Sequence, residues 1–193
     1  MNKMVKIIAI VALTAAFSLA QGDGDLKFGV RAGFNLHQIE YDVFDLTIGM
    51  GFGAGLTASI PLTNTLVLNP ELGFSYKKLP FIDEDEYEMG ITEFAINIPV
   101  LFQYELSGPH SGALGVQLDI PFSSEAYIKS DGQEETMKAE NRAALDFSFV
   151  ARYGYMLSQN IRFDIRAARA LTSVDKDNKG IVYSQSVGMS YIF

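Results

Sequence analysis

VYSQSVGMSYIF, residues 182–193, separates cleanly by parity. Tyr183, Gln185, Val187, Met189, Tyr191 and Phe193 form one face, large, apolar and aromatic apart from one glutamine. Val182, Ser184, Ser186, Gly188, Ser190 and Ile192 form the other, small and polar through its middle. A period of two is the signature of a β-strand. A strand that keeps its aromatic face as far as Phe193 suits a transmembrane β-barrel, whose last strand closes on its first with the apolar side toward lipid.

Working outward, seven further segments alternate in the same way. They are residues 26–36, 48–60, 66–77, 91–104, 113–122, 143–157 and 161–171, the last losing its phase around Arg169. With the C-terminal strand the count is eight, each near the length that a tilted strand needs to cross a bilayer. Gly49, Gly51, Gly53 and Gly55 share one face of a single strand. Such a run weakens an ordinary sheet but fits a narrow interior filled by neighbouring side chains. Pro70, Pro99 and Pro121 lie inside strands and remove ladder donors, so bulges or breaks are expected there. The connections alternate in length. Residues 37–47, 78–90, 123–142 and 172–180 read as long outer loops, and 61–65, 105–112 and 158–160 as short periplasmic turns.

The N-terminus has Lys3 and Lys6, an apolar run from Ile7 to Phe17 broken only by Thr14, and small residues before Ala20. This is the layout of a secretory signal peptide, residues 1–20, leaving 21–193 as a single outer-membrane barrel domain. The apolar run is too short to span a bilayer as a helix. There is no cysteine, which removes disulfides, thiolate metal sites and thiol nucleophiles. The formal charge of −8 excludes a nucleic-acid binder, which needs a basic surface.

Parity alone does not say which face is inside. The polar faces carry Lys27, Arg31, Arg152, Arg162 and Arg166 with Glu71, Glu93, Asp119, Asp146 and Asp164, a balanced set able to pair across a small lumen. Facing lipid, each Arg or Lys near the midplane would cost about 2–4 kcal/mol, and a handful would exceed a domain's stability. The apolar faces are nearly free of charge and place Tyr76, Tyr104, Tyr155, Tyr183 and Tyr191 near strand ends, as interfacial girdles. A soluble exported lipocalin-like carrier would instead bury the apolar face.

The segments FGVRAGFNL, LNPELGFSY, INIPVLFQY and SVGMSYIF, with the signal peptide, resemble the outer-membrane β-barrel domain family of small "porin family" proteins, similar in size to OmpX- and OmpA-type barrels. Asn69-Pro70-Glu71 and Pro99 match positions where that family carries the same pattern. The resemblance spans essentially the whole mature chain. It implies an eight-stranded antiparallel up-and-down barrel in the outer membrane of a Gram-negative-type bacterium. It also implies recognition of the C-terminal aromatic strand, Tyr191 and Phe193, by the barrel-assembly machinery.

Chemistry is sparse. His37 is expected where the first strand enters an outer loop, and His110 in a periplasmic turn. Neither sits in a Ser/His/Asp spacing or a metal triad, so no enzyme and no cofactor is expected. Asp83, Glu84, Asp85 and Glu86 could hold Ca²⁺ or Mg²⁺ but read more simply as a solvated acidic loop. The chain thus reads as a small barrel with a filled polar lumen, anchored by outer-membrane lipids and presenting acidic loops to a surface partner. A narrow porin-like channel is the alternative, set against the fact that eight strands leave room only for side chains.

Overall fold

The computed structural model describes residues 26–40, 47–84, 87–130, 133–138, 145–172 and 181–193. The signal segment and the loop 173–180 lie outside the described residues. Among the described residues there are nine strands: β1 Lys27–Glu40, β2 Thr47–Pro61, β3 Leu66–Glu84, β4 Tyr87–Glu105, β5 His110–Ser130, β6 Gln133–Lys138, β7 Asp146–Met156, β8 Ile161–Ala170 and β9 Ile181–Ile192. All pairings are antiparallel, in the order β4-β3-β2-β1-β9-β8-β7-β5, and β4 pairs with β5 to close an eight-stranded barrel. The β1–β9 seam runs from Gly29↔Ile192 to Glu40↔Ile181. Closure is what a bilayer demands, because an edge strand would leave backbone groups unpaired in hydrocarbon.

The alternation read from sequence sorts the barrel into an apolar outside and a polar inside. Phe28, Phe52, Leu56, Phe74, Leu114 and Val187 are exposed on the wall, whereas Glu93, Asn69, Arg162 and Asp164 are enclosed. An apolar patch inside is small, with Leu101, Ala113 and Val150 packed together. The phase of β8 does not fail at Arg169. It continues, turning Arg169 outward, where its guanidinium lies 5.6 Å from the centre of the Tyr183 ring.

Two of the expected outer loops are largely strand. β3 and β4 form a hairpin that stays paired out to Glu84↔Tyr87, and β5 continues to Ser130. β6 pairs with the upper part of β5, from Glu125↔Lys138 to Ser130↔Gln133, above the stretch that pairs with β7. The strands β3, β4 and β5 run 19, 19 and 21 residues against 11, 10 and 12 for β7, β8 and β9, so one side of the rim stands higher. Short alternation windows end where charge accumulates, yet backbone pairing continues once a hairpin is already in register.

Each of the three prolines expected inside strands sits beside a gap or shift in a ladder. The β2–β3 ladder skips from Thr57↔Glu71 to Ile60↔Leu68 around Pro70, and β3–β4 skips from Pro70↔Val100 to Gly73↔Asn97 beside Pro99. Near Pro121, β4 pairs Phe94 with Ser123 and Ala95 with Pro121, leaving Phe122 as the extra residue of a bulge. The bulge reverses the parity of β5. Tyr127 therefore shares the outer face with Leu114 and Val116 rather than following Gln117 and Asp119 inward.

Glycine is required where strands approach side by side. A Cβ on Gly115 would lie 2.0 Å from the Val100 carbonyl oxygen and 2.8 Å from the Leu101 Cα, whereas one on Gly112 would meet nothing nearer than 4.0 Å. Gly115→Ala is expected to lower the unfolding free energy by about 1–3 kcal/mol and Gly112→Ala to leave it nearly unchanged. Urea titration of the two variants refolded in detergent measures the difference; equal midpoints would contradict the packing described.

Candidate functional site

The lumen is built in two polar layers. Toward the short turns, Arg166 bonds Glu71 through Nη1 and Nη2 at 2.9 and 2.7 Å and Asp164 through Nε at 3.0 Å. Arg31 reaches Asp164 at 2.8 to 3.2 Å, and Arg152 reaches Glu71 at 3.2 Å. Arg152 also donates to Asn69 at 2.6 Å and to Gln103, and Arg162 donates to Gln103 at 3.1 Å. Toward the outer rim, Lys77 lies 3.3 Å from both Glu93 and Asp119, and Asp119 accepts from Asn97 and from Gln117. Asp146 is buried opposite Asp119 in the β5–β7 register.

These groups come from distant parts of the chain, and glycines make room for them. Arg31 passes over Gly33 and Gly188, and the Arg162 stem lies 3.2 Å from where a Gly154 Cβ would stand. Between the layers is a cavity of about 100 Å³, bordered by Arg31, Glu71 and Arg166 on one side and by His37, Lys77 and Asp119 on the other. That volume accommodates about three water molecules.

Both histidines differ from their expected places. His37 lies within β1, buried and facing the lumen, because pairing with β2 and β9 extends past it. Its Nδ1 is 2.7 Å from the Ser184 hydroxyl. Only barrel closure brings Ser184 there, 147 residues away in sequence, so no local motif could reveal it. The Ser–His contact has no carboxylate on Nε2 among the described residues and faces the 100 Å³ cavity, too small for an acyl substrate. His110 opens β5 instead of lying in the turn, which is 106–109 with Gly108 at φ +70°. It hydrogen-bonds the Tyr153 hydroxyl and meets the Tyr155 ring edge-on, 5.1 Å between centres, at the periplasmic end.

Above the wall, Lys78 of β3, Glu88 of β4 and Tyr127 of β5 form a cluster not foreseen from sequence. Lys78 pairs with Glu88 at 3.0 Å, the Tyr127 hydroxyl donates to Glu88 at 2.9 Å, and the Lys78 ammonium sits 4.3 Å from the centre of the Tyr127 ring. Gly90 lets the ring lie against the sheet, since a Cβ there would be 2.6 Å from the Tyr127 hydroxyl. Asp85 and Glu86, and the side chains of Asp83 and Glu84, lie outside the described residues. Among the described residues no group of three His, Cys, Asp or Glu could hold a metal.

A closed antiparallel barrel, apolar outside and charged within, defines a transmembrane β-barrel of outer-membrane type. The chain belongs to the outer membrane protein beta-barrel domain family, whose model matches residues 19–176, and its place is the cell outer membrane. The solved structure of Ail, the attachment invasion locus protein of Yersinia pestis, is similar at 15% identity and a TM-score of 0.57, over 88% of this chain and 100% of that one. Neisserial surface protein A is similar at 13% identity and 0.57, over 87% and 99%. Ail in complex with the heparin analogue sucrose octasulfate is similar at 15% identity and 0.55, over 88% and 100%. No curated protein sequence matches the chain.

Two outcomes follow. Asp164 accepts from two buried guanidinium groups, so Asp164→Leu leaves uncompensated charge and is expected to cost about 3–5 kcal/mol of unfolding free energy. A urea midpoint within error of the parent would refute the pairing. At Glu88 partial burial alone would raise the carboxyl pKa, but hydrogen bonds from Lys78 and Tyr127 outweigh it and hold the pKa below its ordinary value. A depressed carboxyl pKa stabilises above the unfolded value and loses that contribution as pH falls through the folded one. Amide exchange across residues 87–93 should therefore accelerate, relative to the barrel wall, as pH drops below the ordinary glutamate range. No such difference is expected in Glu88→Gln.

Proposed function

We propose that the protein is a closed, non-conducting barrel that acts through its raised outer rim, presenting an acidic surface to cationic partners outside the cell. The single observation behind this reading is the length of β3, β4 and β5, which carry a four-stranded sheet with β6 beyond the apolar wall. The outer stretches 37–47, 78–90, 123–142 and 172–180 hold fifteen of the chain's 23 acidic residues and six of its fifteen basic ones. The stretches read as outer thus carry a net charge of −9, against −8 for the whole chain. Such a field attracts cations and repels polyanions. The polysulfated sugar bound by Ail is therefore the wrong class of ligand for this rim.

The reading includes export by cleavage of residues 1–20 and delivery to the barrel-assembly machinery through Tyr191 and Phe193. The Phe193 amide donates to the Phe28 carbonyl at 2.8 Å, and its ring lies 5.8 Å from Tyr191, so the last residue belongs to the closing seam. Deletion of Phe193 should lower the fraction of protein reaching the folded, heat-modifiable form in the outer membrane. Unchanged assembly would sink that role.

The test of function combines two measurements. Protein extracted from the outer membrane with detergent and placed in planar bilayers should give no conductance steps; steady steps would favour the narrow channel. Proteoliposomes should bind a lysine-rich peptide in a salt-sensitive manner. Replacing the acidic residues of 83–88 and 133–138 by their amides should weaken that binding at least about tenfold, the loss expected when several charge contacts disappear together. Equal binding by the neutralised variant would dismiss the rim as the working surface.

A further inference from the structure

The charges inside the barrel balance in number but not in position. On the lumen face of the described residues, the layer near the short turns buries Arg31, Arg152, Arg162 and Arg166 with only Glu71 and Asp164. The layer near the outer rim has Lys77 with Glu93, Asp119 and Asp146. The cavity lies between them. At the periplasmic mouth, Lys27 and Glu105 are exposed; Glu105 accepts from the Gln103 side-chain amide but is not at ion-pair distance from the buried arginines. The inner layer therefore carries two guanidinium charges more than its carboxylates offset.

Arg162 is where the excess concentrates. It is 2% exposed and meets no carboxylate at ion-pair distance among the described residues. Its one acceptor is the Gln103 side-chain oxygen at 3.1 Å, which Arg152 also uses, so two like charges converge on one neutral atom. Nε and Nη2 of Arg162 have no acceptor among the described residues. Ser190, the cross-strand neighbour of Arg162, and Thr57 likewise have buried hydroxyls with no hydrogen-bond partner among the described residues. The two carboxylates cannot swing across, since Asp164 already holds Arg31 and Arg166 and Glu71 already holds Arg152 and Arg166.

A guanidinium does not release its proton in a protein, so the charge persists when it is buried. Water can satisfy the free N–H groups but does not neutralise them. We propose that the periplasmic half of the lumen binds a small inorganic anion of chloride size on the Nε/Nη2 edge of Arg162. The 100 Å³ cavity borders Arg31 and Arg166 but not Arg162, and so enclosed an edge leaves least obstacle to a monatomic ion. The ion is a structural counterion to the guanidinium charge that the buried carboxylates leave unmatched. It is distinct from the cation-attracting rim, and it stands if the rim proposal fails.

The experiment uses the full barrel purified from membranes and crystallised with sodium bromide replacing chloride. An anomalous bromide peak beside Arg162 Nε and Nη2 is expected, and ordered water alone at that place would overturn the proposal. In solution, the thermal midpoint is compared in chloride and in gluconate at one ionic strength, gluconate being too large to enter. Above the dissociation constant, each tenfold rise in chloride should raise the midpoint by about 4 °C. In Arg162→Met that dependence should vanish. An identical chloride response in the variant, or no response in the parent protein, would equally refute the site. If the variant does not fold, the parent's halide series and the bromide map decide alone.

Discussion

Every backbone N–H and C=O of this chain that crosses hydrocarbon must find its partner within the protein, and the β1–β9 seam is where that requirement is met last. Without it, two strands of ten or more residues would face lipid with unpaired donors and acceptors. Closure then dictates much else. It converts alternation along each strand into an inside and an outside, brings Arg31 of β1 against Asp164 of β8, and sets His37 beside Ser184. The polar lumen exists because the wall is closed.

The lumen in turn explains the glycines. Eight strands enclose a width that side chains alone can fill. Long guanidinium groups crossing that width need bare backbone opposite them, as Arg31 finds at Gly33 and Gly188 and Arg162 at Gly154. Charged groups are tolerated there because each carboxylate serves two arginines, which lowers the number of acids needed but leaves the inner layer cationic.

At the rim one inserted residue changes the architecture. The bulge at Phe122 reverses the parity of β5, so Tyr127 turns outward onto Gly90 and toward Lys78 and Glu88. The strands continue as a sheet past the apolar band, supported by that cluster instead of by lipid. The result is a sheet that stands higher on one side of the rim.

The number of barrel strands, their antiparallel order, the direction of each face in the wall and the membrane setting were all legible in the sequence, because a period of two in hydrophobicity is a local property that closure and lipid read directly. The shared faces of Arg31, Arg166, Glu71 and Asp164 follow from the same parity. Which carboxylate meets which arginine does not, since those distances depend on register across as many as 133 residues. The length of the rim strands escaped for a related reason: charged residues end an alternation pattern, while backbone pairing continues through them. His37, His110, Tyr127 and the bulge at Phe122 belong to this second group. A residue's parity is set by its own strand, but its partner is set by the neighbour that the closed barrel supplies.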